Sequence, residues 1–145
     1  MSILMTTKEN TMCKATLYVI MRNDMGSMSP GKACAQAAHA ANAVKHHFIT
    51  KVKDKVLLEE FSFWETQTQQ GFGTTIVLGA SEKEMKMVVD ILKEKFVSGI
   101  VHDPTYPVKD GNVMHLIPVD TCAYIFVTDR DNLHSKTVLG KFDLY

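Results

Sequence analysis

Seven of the eleven residues from Ala33 to Ala43 are alanine, the residue with the highest helix propensity and a very small side chain. Such a run is a helix that can lie very close to a neighbour. Its start is marked by Ser29 ahead of Pro30, an N-cap followed by a proline at the first helical position. The sequence therefore predicts a helix over 30–48. The rest of the chain has to supply something for that helix to lie against. Leu17-Tyr18-Val19-Ile20-Met21 is a short apolar run rich in β-formers and reads as a strand buried on both faces. It ends at Arg22-Asn23-Asp24, and turn residues continue to Gly31.

After the alanine helix, Val52, Val56, Leu57, Phe61 and Trp64 recur at helical spacing, which predicts a second helix over 50–68, followed by a polar loop ending at Gly73. Gly73 to Gly79 is a strand by composition, and Ser81-x-x-Glu84 is a capping box opening a helix with Met85, Val88, Val89, Leu92 and Phe96 on one face. Ser98 to His102 is a short strand, Asp110-Gly111-Asn112 a turn, and Ala123 to Val127 a fourth strand. Asp129 to Gly140 closes the chain with a short helix stopped by its glycine. The order βααβαββα predicts an α/β fold: a single-domain sandwich with a four-stranded mixed sheet flanked by helices. At 145 residues one domain is expected, here 15–145, with 1–14 as a flexible N-terminal tail.

Composition excludes several functions. The apolar runs are a few residues long, against the ~20 of a spanning helix, so no membrane role is expected. Met1 to Lys14 has no basic region followed by an apolar stretch of the secretory kind, which points to the cytoplasm. Cys13, Cys34 and Cys122 are odd in number and far apart, as free thiols are. Lys and Arg total 16 against 16 Asp and Glu, so only a local patch could favour nucleic acid.

Lys32, Gln36 and His39 are spaced i, i+4, i+7, within an arc of about 60° on the alanine-rich helix. A solvated face is the plain reading of such a stripe. Lys32, however, lies in the first turn, where a cation opposes the helix dipole, and beside free amide groups it is well placed to hold an anion such as phosphate. Asp103 directly follows a strand, where ligands gather in α/β sheets; before Pro104 it is equally a turn residue. His102 reads as a packed core residue. Lys45-His46-His47 with Lys51, Lys53 and Lys55 is the most basic stretch, either a solvated face or a track for a nucleic-acid backbone.

Arg22-Asn23-Asp24-Met25 followed by Gly31-Lys32-Ala33-Cys34-Ala35-Gln36-Ala37-Ala38-His39-Ala40 resembles the opening motif of type II peptidyl-tRNA hydrolases, R-x-D-L and then G-K-x-A-A-Q-x-x-H-A. The likeness continues through Asp103, through Pro118 before the last strand and through the tail from Lys136 to Tyr145. Two places depart from the family: Ser29-Pro30 replaces basic and glycine positions, and Pro104-Thr105-Tyr106-Pro107 replaces G-R-T-Q. The resemblance implies an α/β fold with a four-stranded mixed sheet and cleavage of the ester that joins a peptide to the 3′ ribose of tRNA. It implies Lys32, Gln36 and Asp103 as functional residues, with Thr105 in place of the family's threonine.

No Ser-His or Cys-His nucleophile with a third orienting group can be drawn from this sequence, so a positioned water is the expected attacking group. Asp103 would orient or deprotonate it, Lys32 would stabilise the oxyanion or hold the terminal phosphate, and Gln36 would position the ester. Arg22, His39, Lys51, Lys53 and Lys55 are the substrate-binding candidates. No metal and no cofactor are expected, since carboxylates and histidines are not clustered at ligand spacing. The expected partner is peptidyl-tRNA, with a homodimer as a further expectation. A non-catalytic RNA-binding module and a small-molecule ester or amide hydrolase are the rival readings.

Overall fold

The structure is a computed structural model that describes residues 13–145. In chain order its elements are β1 (Thr16–Arg22), α1 (Pro30–Thr50), α2 (Lys55–Thr66), β2 (Thr75–Ala80), α3 (Glu82–Leu92), β3 (Val97–Asp110), β4 (Val113–Val127) and α4 (Leu133–Leu139). The four strands form one sheet in the order β2-β1-β4-β3, parallel between β1 and β2 and antiparallel elsewhere. The expected α/β sandwich with a mixed sheet is what forms.

Strand alternation sends each central strand's side chains into two separate cores. Leu17, Val19 and Met21 of β1 join Tyr124 and Phe126 of β4 under α1 and α2. Ile20 joins Ala123, Ile125 and Val127 on the other face, under α3 and α4. The first core holds an aromatic cluster in which Phe48 stacks on Phe61 with centroids 4.1 Å apart and Phe126 meets Phe48, Phe61 and Trp64 edge-on. The Trp64 indole N–H donates to the Thr74 carbonyl at 2.9 Å, which ties α2 to the start of β2.

The caps legible in the sequence form. Ser29 accepts from the Lys32 N–H and Pro30 opens α1; Ser81 and Glu84 close a reciprocal capping box on α3. Several boundaries differ from expectation. The second helix starts at Lys55 rather than 50, because α1 runs on to Thr50 and the Asp54 carboxylate then caps Val56 and Leu57. The last helix begins at Leu133, capped by Asn132. The third and fourth strands are far longer than 98–102 and 123–127 and project as a two-stranded ribbon turned at Gly111, whose φ is +60°. In this ribbon Val113, Met114 and Leu116 are exposed; with no layer over either face there is no buried side for an alternation to report.

His102 is exposed, not packed in the core, and bonds Asp120 at 2.8 Å. Of the expected tail, residues 1–12 lie outside the described residues. Cys13 is buried and Lys14 pairs with Asp131 at 3.0 Å. No helix among the described residues is long and apolar enough to cross a membrane.

Gly73, between α2 and β2, lies tight against α2: a Cβ there would lie 2.5 Å from both the Trp64 ring and the Trp64 carbonyl oxygen. Backbone cannot give way cheaply, so Gly73→Ala is expected to cost about 1–3 kcal/mol. A lower urea midpoint with an unchanged m-value would show it.

Candidate active site

The loop from β1 into α1 is held by the last residue of β1. Arg22 donates to Asp24 at 2.8 Å and to the Asp120 carbonyl at 3.2 Å, and pairs with Glu82 at 3.4 Å. Asp24 in turn accepts from the Glu82 backbone N–H at the start of α3. Asp120 continues the network to Lys86 at 3.2 Å and to His102. Arg22, a substrate-binding candidate by sequence, is thus engaged by two carboxylates and a carbonyl that fix where α1 begins.

Two register shifts between β3 and β4 decide what faces α1. Val101 pairs with Cys122 but His102 pairs with Asp120, so Thr121 is an extra residue in β4. Asp103 pairs with Val119 but Tyr106 pairs with Ile117, which places an extra residue in β3. A bulge re-aims side chains that alternation would send to opposite faces. Thr121 therefore joins Cys122 on the α1 side, and Asp103 and Tyr106, three apart, share that side as well.

Gln36, buried at the inner face of α1, meets this cluster. Its amide nitrogen donates to Asp103 Oδ2 at 2.7 Å while its amide oxygen accepts from the Thr121 hydroxyl at 2.6 Å. The other Asp103 oxygen accepts from the Thr105 N–H at 2.9 Å and hydroxyl at 3.2 Å. One oxygen thus makes the turn contact that the sequence suggested, and the other faces the helix. His39 Nε2 stands 3.9 Å from Oδ2 with about half its side chain exposed. Burial by itself raises the Asp103 pKa, but the bonds from Gln36 and Thr105 and the nearby His39 outweigh it and hold the carboxyl below the ordinary aspartate value. Asp103 is a carboxylate at neutral pH.

Lys32, one turn or about 6 Å toward the N-terminus of α1 from Gln36, places its ammonium 5.1 Å from the centroid of the Tyr106 ring. Tyr106 is fully buried, and its hydroxyl is anchored by Ser27 at 3.1 Å and Met28 Sδ at 3.8 Å. An aromatic face steadies a cation without neutralising it, so the charge stays available to an anion. Cys122, against the Gln36 carbonyl, has its thiol pushed up to about 12 by burial and is no nucleophile near neutral pH.

Lys32, Gln36, His39, Asp103 and Thr105 come together. Lys51, Lys53 and Lys55 are exposed beyond the far end of α1, and the first of them is about 28 Å along the helix axis from Lys32. The stretch is less basic than its composition suggests: Lys45 pairs with Glu65 at 3.3 Å. His47 bonds the Tyr124 hydroxyl at 2.7 Å and is held below the usual histidine pKa by burial, with Lys51 and His46 adding to the effect. Thr121, Tyr106 and Ser27 belong to the cluster and were not picked out by sequence. Their only signal is a lone polar residue before a strand, a tyrosine between prolines and a loop serine. Among the described residues no three His, Cys, Asp or Glu side chains converge as a metal's ligand set would.

A family model described as Peptidyl-tRNA hydrolase PTH2 matches residues 15–144. Among solved structures, a protein of unknown function from Agrobacterium tumefaciens strain C58 aligns with a TM-score of 0.52 at 5% identity, covering 91% of this chain and 98% of its own. That likeness shows the fold. No curated protein matches the sequence.

The depressed Asp103 pKa has a consequence for stability. A carboxyl that titrates lower when folded contributes stability above its unfolded pKa, and this is lost as pH falls through the native value. Gln36→Leu removes the donor to Oδ2 and raises that native value. Acid unfolding followed by circular dichroism should then begin at higher pH than in the wild type, with about 1–3 kcal/mol lost at neutral pH from the unsatisfied oxygen. An unchanged acid limb would mean that Gln36 does not govern the carboxylate.

Proposed function

Because the chain belongs to the peptidyl-tRNA hydrolase PTH2 family, we propose that it hydrolyses the ester between a peptide and the 3′ ribose of tRNA, using a water oriented at Asp103. Family membership supports the activity at the level of the family; the assignment of roles rests on the geometry. The observation that carries it is the Gln36–Asp103 bond beside the Lys32 ammonium, which rests over the Tyr106 ring. Asp103 is anionic and its oxygens are fixed from both sides, so it orients water and favours the developing positive charge on it; the water oxygen bonds to the acyl carbon, the bond from that carbon to the 3′ oxygen breaks, and the water's proton ends on the departing 3′ oxygen. The low pKa of Asp103 makes it a weak proton acceptor. Lys32 stabilises the oxyanion or the terminal phosphate, in a position steadied by Tyr106. Gln36, locked by Thr121, positions the carboxylate and the ester. His39, exposed beside Asp103, contacts the substrate, and Thr105 fixes the Asp103 carboxylate rather than the substrate. Activity through these residues alone needs no metal or cofactor.

Lys51, Lys53 and Lys55 extend the reading to the RNA body, since they are exposed past the far end of α1, and the first of them is about 28 Å along the helix axis from Lys32. The proposal includes a cytoplasmic place, where its substrate is made, and assembly as a homodimer, which light scattering decides.

Purified protein is expected to release intact tRNA from peptidyl-tRNA. Lys32→Ala should lower kcat/KM by about 10²-fold or more with the fold unchanged by circular dichroism, the usual loss for one preorganised charge at a transition state. Equal turnover in that variant would remove Lys32 from the mechanism, and tRNA binding without any turnover would leave the RNA-binding module as the function.

Neutralising Lys51, Lys53 and Lys55 together should weaken tRNA binding and reduce the slope of log affinity against log salt by up to about 0.9 for each duplex phosphate that these lysines neutralise. A slope that does not change places the RNA elsewhere.

A further inference from the structure

The helix that turns Lys32 and Gln36 toward β3 borders a groove on its opposite flank. Ala33 and Ala37 lie one 100° step round α1 from Lys32 and Gln36. With Met21, Met28, Val77 and Tyr145 they line a groove of about 500 Å³, and the exposed Cys34 stands on its wall. Met21 and Ala33 are buried members of the core beneath α1, against which Met28, Ala37 and Val77 are packed. The groove is therefore an open end of that core. Its Tyr145 wall is pinned in place, with the Tyr145 N–H donating to the Val77 carbonyl and the Gly79 N–H to the Asp143 carbonyl, both at 3.0 Å.

We propose that this groove is the subsite for an apolar side chain in the peptide half of the substrate, an inference that rests on the peptidyl-tRNA reading above. The substrate has two chemically different halves, a polyanion and a peptide, and the two flanks of α1 differ in the same way. None of the side chains lining the groove is charged, so a phosphate backbone gains nothing there. Met28 links the flanks around the N-terminus of α1: its sulfur accepts from the Tyr106 hydroxyl under Lys32, and its side chain forms part of the groove. An ester held at Lys32 and Asp103 can thus send its acyl chain past Met28 into the groove. The space exists because positions 33 and 37 carry methyl groups only, and its volume lies in the range of sites for small ligands. Two methionines among its walls suit a substrate class with varied side chains, since an unbranched thioether repacks around different shapes.

Two measurements test this. On one tRNA body, kcat/KM for an N-acetylphenylalanyl ester is expected to exceed that for an N-acetylglycyl ester by about tenfold or more. Ala37→Leu, which fills the groove with a helix-favouring residue, should collapse that ratio toward one whatever the absolute rates. The second measurement does not depend on turnover: Cys34 is the exposed thiol while Cys13 and Cys122 are buried, so alkylation by iodoacetamide reports on the groove. N-acetylphenylalaninamide should slow it and N-acetylglycinamide should not, and the protection should vanish in Ala37→Leu. Turnover with no side-chain preference and no protection overturns the subsite and leaves the hydrolase reading standing. Absence of turnover on both esters overturns that reading and the subsite with it.

Discussion

A carboxylate buried between a helix and a sheet must be given hydrogen-bond donors, or it destabilises the fold that holds it. Asp103 receives them from two directions, the Gln36 amide on α1 and the Thr105 backbone and hydroxyl on its own strand. Much of the local structure follows from that requirement. The acceptor-only Asp103 carboxylate selects the orientation of the Gln36 amide, and the Thr121 hydroxyl donates to the amide oxygen that is left. Thr121 reaches that oxygen because β4 carries an extra residue there. The first turns of α1 are thereby locked to β3 and β4 by a polar chain, where the far end of the helix is held by aromatic packing through Phe48.

The polar residues divide between the two faces of the sheet. On the α3 side, Arg22, Asp24, Glu82, Lys86, Asp120 and His102 compensate one another. Most of these groups are partly solvated, so the network contributes more to placing the β1–α1 loop than to stability. On the α1 side, Lys32 rests on an aromatic ring and Asp103 on neutral donors. Both charges are held in position there, with His39 beside Asp103, and among the described residues Lys32 forms no ion pair; held so, they can act on a substrate. The departure from the family's G-R-T-Q motif falls in this region, and Tyr106 within it provides the ring.

The alanine run determined α1, because seven residues of the highest helix propensity follow a serine-proline cap. The capping box determined the start of α3, and the apolar runs determined the central strands and with them the sandwich. The stripe of Lys32, Gln36 and His39 was legible because helical spacing is a property of sequence alone. Which residues oppose that stripe was decided by tertiary structure. Asp103 and Tyr106 share a face, and Thr121 joins them, only because two bulges break the alternation, and a bulge is a relation between two strands that neither strand's sequence carries. The turn of the β3–β4 ribbon at Asp110-Gly111-Asn112 was legible, but its length was hidden for a related reason: its outer part has no layer covering it and leaves no buried side for the sequence to encode. The role of Arg22 was likewise set by the fold, since its partners Glu82 and Asp120 lie 60 and 98 residues away along the chain and meet it only where the sheet brings β1, α3 and β4 together.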